Sequence, residues 1–210
     1  MAEPRQSSGS TVPQSAAQPS RPAVARAGPL RRFTQKARRL FLHLFTGPAA
    51  MRLLFPRAAL ARLHGVIVAG EREQSGRVRL IIEAGMPLRK VWRGLSIRQR
   101  AVDLFGSFRV WDTEQNNGVL LYLNLAERKL ELVCDRAAVR AITPEEWQGI
   151  CDAILGAFRQ NEFERGLTEG LHAIHREMAE YFPVTATGGD AAAASGDVPA
   201  DDPGSAPVTL

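Results

Sequence analysis

The stretch Asp112 to Asp135, DTEQNNGVLLYLNLAERKLELVCD, decides the fold. It reads as an acidic loop, a buried strand, a tight turn and a second strand. Val119 to Leu125 carries apolar side chains at every position except Asn124. A strand this apolar needs cover on both faces, as at the centre of a layered α/β sheet. Beyond the turn at Ala126-Glu127-Arg128, Leu130, Leu132 and Cys134 alternate with Lys129 and Glu131, the period of a strand with one face in the core. A connection this short makes the two strands antiparallel.

Upstream, Val78 to Glu83 (VRLIIE) is a further strand, broken by Gly85-Met86-Pro87. Ser96 is placed as N-cap of the helix SIRQRAVDLFGSFRVW, with Ile97, Ala101, Leu104, Phe105 and Phe108 toward the core. Strand, crossover helix and strand predict a right-handed parallel unit, so the whole sheet should be mixed. Pro56 opens an earlier helix, PRAALARLHGVIVAGERE, with Leu60, Leu63, His64, Ile67 and Val68 inward.

Downstream, Thr143-Pro144-Glu145-Glu146 is a capping box with proline at the first helical position. The helix it opens carries Trp147, Ile150, Cys151, Ile154, Leu155 and Phe158. A loop at Gln160-Asn161 leads to a last helix with Phe163, Leu167, Leu171, Ile174, Met178 and Phe182 on one face. His172 and His175, three apart on that helix, are expected at its surface; no HExxH surrounds them.

The 210-residue chain has a net charge of +5, and the charge is unevenly spread. Residues 1–62 hold eleven Lys or Arg against Glu3, a balance of +10; the remaining residues hold sixteen against twenty-one, a balance of −5. A basic partner surface is therefore expected at the N-terminal side. Residues 1–29, rich in Ser, Gln, Pro and Ala, are expected to be disordered, as is the Gly-, Ala- and Asp-rich stretch 184–210. Between them lie a basic amphipathic helix over 30–48 and an α/β domain over 49–183. In the helix, Phe33, Ala37, Leu40, Phe41, Leu44 and Phe45 form one face, and Arg31, Arg32, Lys36, Arg38 and Arg39 occupy much of the rest. That pattern suits an anionic membrane surface or a partner's groove, and equally a helix packed on its own domain.

Nucleic acid is not expected as a partner, since basic residues come without a recognisable binding fold. Neither an h-region nor eighteen uninterrupted apolar residues is present, which predicts a cytoplasmic location, at most peripheral to the inner membrane. Two cysteines give no disulfide framework and no zinc spacing.

NNGVLLYLNLAERKLELVCDRA, the acidic turn before it, TPEEWQGICDAILGAFRQNEFERGLTEGLHAI after it, and the strand preceded by Glu71 and Glu73 together resemble a TPM domain. The resemblance runs from about Leu54 to Phe182, and is closest to short bacterial members that have neither signal peptide nor membrane anchor. It implies a central sheet of about four strands flanked by helices on both faces. For function it implies a range: acid phosphatase activity in some members, divalent-cation binding in others, and modulation of membrane proteins in others again.

The position that matches the family's chemistry is the loop Asp112 to Gly118. The carboxylates of Asp112 and Glu114, the amide oxygens of Asn116 and Asn117, and Asp135 nearby are hard oxygen donors suited to Ca2+ or Mg2+; no organic cofactor is implied. The glycine falls one residue late for an EF-hand loop, and no bidentate glutamate follows it. The same Asn-Gly can instead supply a positive-φ turn, with Asp112 ending the helix before it. In this segment after the third strand, Asp135 to Pro144, alanines stand where the family has glycines. Two functions are therefore expected as alternatives: an interaction module, cytoplasmic or membrane-peripheral, and a metal-assisted phosphomonoesterase.

Overall fold

The computed structural model describes residues 38–44, 46–184 and 207–209. Helix α1 covers 38–44, followed by α2 (Pro48–Leu54) and α3 (Arg57–Gly70). Strand β1 (Val78–Glu83), α4 (Leu88–Trp92), α5 (Ile97–Ser107), β2 (Val119–Asn124) and β3 (Lys129–Cys134) come next. The chain continues with α6 (Arg136–Ala141), α7 (Pro144–Arg159), α8 (Phe163–Tyr181) and the two-residue β4 (Val208–Thr209).

The sheet order is β3-β2-β1-β4. β1 and β2 run parallel, Val78 opposite Val119 through Glu83 opposite Asn124, and β2 and β3 are antiparallel. The mixed α/β sheet is thus the one the strand patterns predict, with three six-residue strands and a short fourth that no pattern in 184–210 announces. All six residues of β1 and of β2 are buried. On one face Leu80, Ile82, Leu121 and Leu123 pack with α3, α7 and α8; on the other Ile81, Leu120 and Tyr122 pack with α4 and α5. Two-sided cover is what an unbroken apolar run requires.

Both long-range helix starts are built as their sequences dictate. Thr143 accepts from the Glu146 amide while Glu146 accepts from the Thr143 amide at 2.7 Å, and Ser96 and Gln99 make the same reciprocal pair. Two short helices escape the periodicity. α2 follows Gly47 with Pro48 at its first position, and α6 follows Asp135, whose carboxylate caps it. Helices of seven and six residues are too brief to show a 3.6-residue repeat. Helix α5 ends sooner than expected, at Ser107, because Arg109 turns to φ +50°.

The expectation of two surface histidines on α8 is half corrected. His172 is exposed, but His175 is 3% exposed and lies over Gly70 of α3. A Cβ at Gly70 would come within 2.1 Å of the imidazole, so the two helices can approach only with glycine there. Both ring nitrogens of His175 lack hydrogen-bond partners among the described residues. Burial, with some help from His172, pushes its pKa down from 6.5 to about 4.

Two outcomes follow from the α3–α8 contact. The unfolded chain binds the His175 proton below pH 6.5 while the native chain resists it down to about 4, so stability falls as pH drops through that window. The loss is up to about 3 kcal/mol, and His175→Leu should flatten it in urea titrations run at pH 7, 5.5 and 4. Gly70→Ala should cost about 1–3 kcal/mol at pH 7, read by the same denaturation.

Candidate functional site

The acidic loop sits at the N-terminal ends of the parallel strands. Beyond α5, Val110 is buried, and Gly118 passes so near it that a Cβ there would lie 1.9 Å from the Val110 carbonyl oxygen. Glycine is required at 118 for space. The positive φ belongs to Asn116, at +53°, one residue before the Asn-Gly pair to which a left-handed turn would be assigned. Thr113 Oγ1 accepts from the Asn117 amide at 3.0 Å and closes the loop.

The five candidate ligands are placed differently from one another. Asp112 and Glu114 are exposed on the rim of an open groove of about 460 Å³, shared with Glu71, Gln74, Ser75 and Arg77. Asn116 is exposed, and its carbonyl accepts from the Ala137 amide at 2.9 Å. Asn117 is fully buried; its Nδ2 donates to Ser75 Oγ at 3.3 Å and Gln115 Oε1 at 3.4 Å, while its Oδ1 has no partner among the described residues. Asp135 accepts from the Arg136 amide at 2.7 Å at the start of α6. Asp112 does not end a helix, since α5 stops five residues earlier. Glu71 accepts from the Val78 amide at 3.0 Å, tying the groove wall to the first residue of β1. Among the described residues, no group of three or more His, Cys, Asp or Glu is placed to hold a metal ion.

The opposite end of the sheet holds a buried polar network. Glu83, the last residue of β1, is 2% exposed and receives a two-pronged contact from Arg100 of α5: Nη2 donates at 2.7 Å and Nε at 3.2 Å. The Tyr122 hydroxyl donates to the same carboxylate, and Asn124 Nδ2 donates to the Tyr122 oxygen at 3.1 Å. Burial and the neighbouring carboxylate push the Tyr122 phenol far up, so it stays protonated and donating. Burial works against the Arg100 charge, but its contacts with Glu83 prevail and raise its pKa. Asn124 Oδ1 accepts from the Glu127 amide at 3.0 Å, which carries the network into the β2–β3 turn.

Glu127 is where α1 is held. Arg39 pairs with its carboxylate and donates from Nη2 to the Leu95 carbonyl at 2.5 Å; His43 Nε2 lies 3.0 Å from the same carboxylate, and its Nδ1 accepts from the Met86 amide at 3.0 Å. Burial opposes ionisation of Glu127, yet the contacts from His43 and Arg39 outweigh it and hold the carboxyl below its ordinary range. Of the five basic residues assigned to membrane or partner contact, Arg39 is turned inward and Arg38 is exposed. Arg31, Arg32 and Lys36 lie outside the described residues, as do Phe33 and Ala37. Phe41 and Leu44 of α1 are each 59% exposed and Leu53 of α2 is 83% exposed, with Arg52 and Arg57 exposed nearby in sequence. Trp92 and Trp111 are also exposed.

Sequence patterns did not single out Glu83, Arg100, Tyr122, Asn124, His43 or Glu127 as a set. One signal was available: Asn124 is the lone polar residue in an otherwise apolar strand, and a polar group there must find partners.

Replacing Glu83 by Gln leaves the Arg100 charge buried without its counter-ion. Glu83→Gln should therefore destabilise the fold by about 3–5 kcal/mol, whereas Tyr122→Phe should cost about 1–3 kcal/mol, both measured by urea unfolding at pH 7.

The comparisons with known proteins agree with this architecture. The chain superposes on the NMR structure of the BA42 protein from the psychrophilic bacterium Bizionia argentinensis with a TM-score of 0.58. The match covers 73% of this chain and 93% of that one at 21% sequence identity, a likeness of fold. No curated protein matches the chain. The family model described as the TPM domain matches residues 53–177, from the end of α2 through most of α8. The chain belongs to the TPM domain family.

Proposed function

We propose that the protein is a membrane-peripheral interaction module that attaches to an anionic surface through α1 and α2. One observation carries this reading: α1 is anchored to the domain by Arg39 and His43, yet it leaves Phe41 and Leu44 each 59% exposed. A helix that served only to pack on its own domain would turn such side chains inward. Leu53 at 83% exposure and the exposed Arg38 and Arg52 supply further apolar and cationic contacts of the kind an anionic bilayer takes up. Among the described residues no helix is long and apolar enough to cross a membrane, which suits surface attachment.

A second reading, a divalent-metal-assisted phosphomonoesterase, is favoured by the shared groove of Asp112, Glu114 and Glu71. It requires the loop to draw these carboxylates together around Ca2+ or Mg2+. Because Glu71 already accepts from β1, the movement would fall to Asp112 and Glu114.

Sedimentation with phosphatidylserine-containing vesicles tests the first reading. Binding should weaken when salt is raised from 0.05 to about 0.5 M and should drop at least about tenfold in Phe41→Ser with Leu44→Ser. Equal binding to neutral phosphatidylcholine vesicles, or none to either, counts against it. Calorimetric titration with Ca2+ and Mg2+ tests the second: saturable heat abolished by Asp112→Ala with Glu114→Ala supports it, and no heat in folded protein removes it.

A further inference from the structure

Three segments come together at the end of the sheet where β1 and β2 finish: α1, the stretch 84–96 that holds α4, and the β2–β3 turn. Arg39 and His43 tie them to one another through the Glu127 carboxylate, the Leu95 carbonyl and the Met86 amide. Residues 38–44, 84–96 and 125–129 carry seven Lys or Arg against Glu127 alone. Outside these segments, residues 63–210 hold eleven Lys or Arg against twenty Asp or Glu, so positive charge is concentrated at one end of the domain. Four of the seven, Arg38, Arg89, Arg93 and Arg128, are exposed and form no ion pair among the described residues.

Helix α4 adds an apolar part to this end. Val91 is buried in the cluster against which Leu40 of α1 also packs, while Leu88 and Trp92, one turn apart, are 40% and 68% exposed. An exposed indole beside unpaired guanidiniums has an amphipathic ring to bury and cations to neutralise, and the headgroup layer of an anionic bilayer accommodates both at once. A polyanion alone would meet the arginines and leave Trp92 and Leu88 in water.

We propose that α4 and the β2–β3 turn make a second contact with the anionic bilayer, with Trp92 among the headgroups and Arg89, Arg93 and Arg128 against lipid phosphates. The protein then stands on the membrane by the end where β1 and β2 finish. This rests on vesicle attachment through α1, and it adds an orientation. Asp112, Glu114 and the groove they rim lie at the opposite end of the sheet, on the aqueous side and away from lipid charge that would repel them. Trp111, 48% exposed, belongs to that distant end.

The test sediments the full chain and variants, each shown to be folded by circular dichroism, with vesicles one quarter phosphatidylserine and the rest phosphatidylcholine. Trp92→Ala should weaken binding at least about fivefold, and Arg89→Ser with Arg93→Ser at least about tenfold at low salt. Trp111→Ala should bind as the unaltered chain does. Lipid brominated on its acyl chains should quench tryptophan emission of the unaltered chain and of Trp111→Phe, and much less that of Trp92→Phe. If Trp92→Ala and the arginine pair bind normally while Phe41→Ser with Leu44→Ser does not, the proposal is overturned and attachment through α1 stands. No sedimentation of the unaltered chain removes both. Polyglutamate binding that is lost in the arginine pair and kept in Trp92→Ala, at an affinity matching that for vesicles, would assign this end to a soluble acidic protein and also overturn the proposal.

Discussion

Much of the structure depends on one buried ion pair, Glu83 with Arg100. It joins the end of β1 to the crossover helix at a point where the carboxylate is 2% exposed and the guanidinium side chain 12%. Desolvating both groups is costly, and the fork geometry of the guanidinium with the added Tyr122 donor offsets that cost only if all three side chains are held together. Asn124 then passes the constraint into the turn that carries Glu127, and Glu127 fixes α1. The position of the N-terminal helix is thus set, link by link, from the inside of the sheet.

The elements that were legible in the sequence are those with a strong repeat or an explicit start signal. β2 shows as an apolar run, β1 and β3 as alternations, and α7 as a capping box followed by a 3.6-residue stripe. What was hidden depends on tertiary partners. The burial of His175 follows from the glycine on a different helix, and histidine spacing along α8 cannot report it. Gly118 looks like a turn residue because it follows Asn-Asn, yet the reason for it is the Val110 carbonyl, eight positions earlier. The acidic loop shows the same limit. Of the five oxygen-bearing side chains, four of them within 112–117, Asp112 and Glu114 stand on the groove rim, Asn116 is exposed, Asn117 is buried and Asp135 caps a helix, because each has its own local geometry to satisfy.

The two ends of the sheet differ in character. At the ends where β1 and β2 finish, the polar groups are sealed and mutually satisfied. At the ends where they begin, carboxylates stand open to solvent around a groove. Rigid support at one end leaves the other free to carry chemistry or contacts without loosening the core.

Among the described residues, β3 ends the sheet with a row of backbone groups that has no neighbouring strand. The Leu132 carbonyl on that row accepts from Arg98 Nη1 at 2.5 Å, and Arg98 also lies 3.8 Å from Glu131. A charged side chain laid across a bare edge occupies the acceptor that an intruding strand would need and makes its approach repulsive for a second cationic edge. Arg98 thereby gives this protein a guard against self-templated aggregation when it is crowded, a role set by its place on the sheet margin.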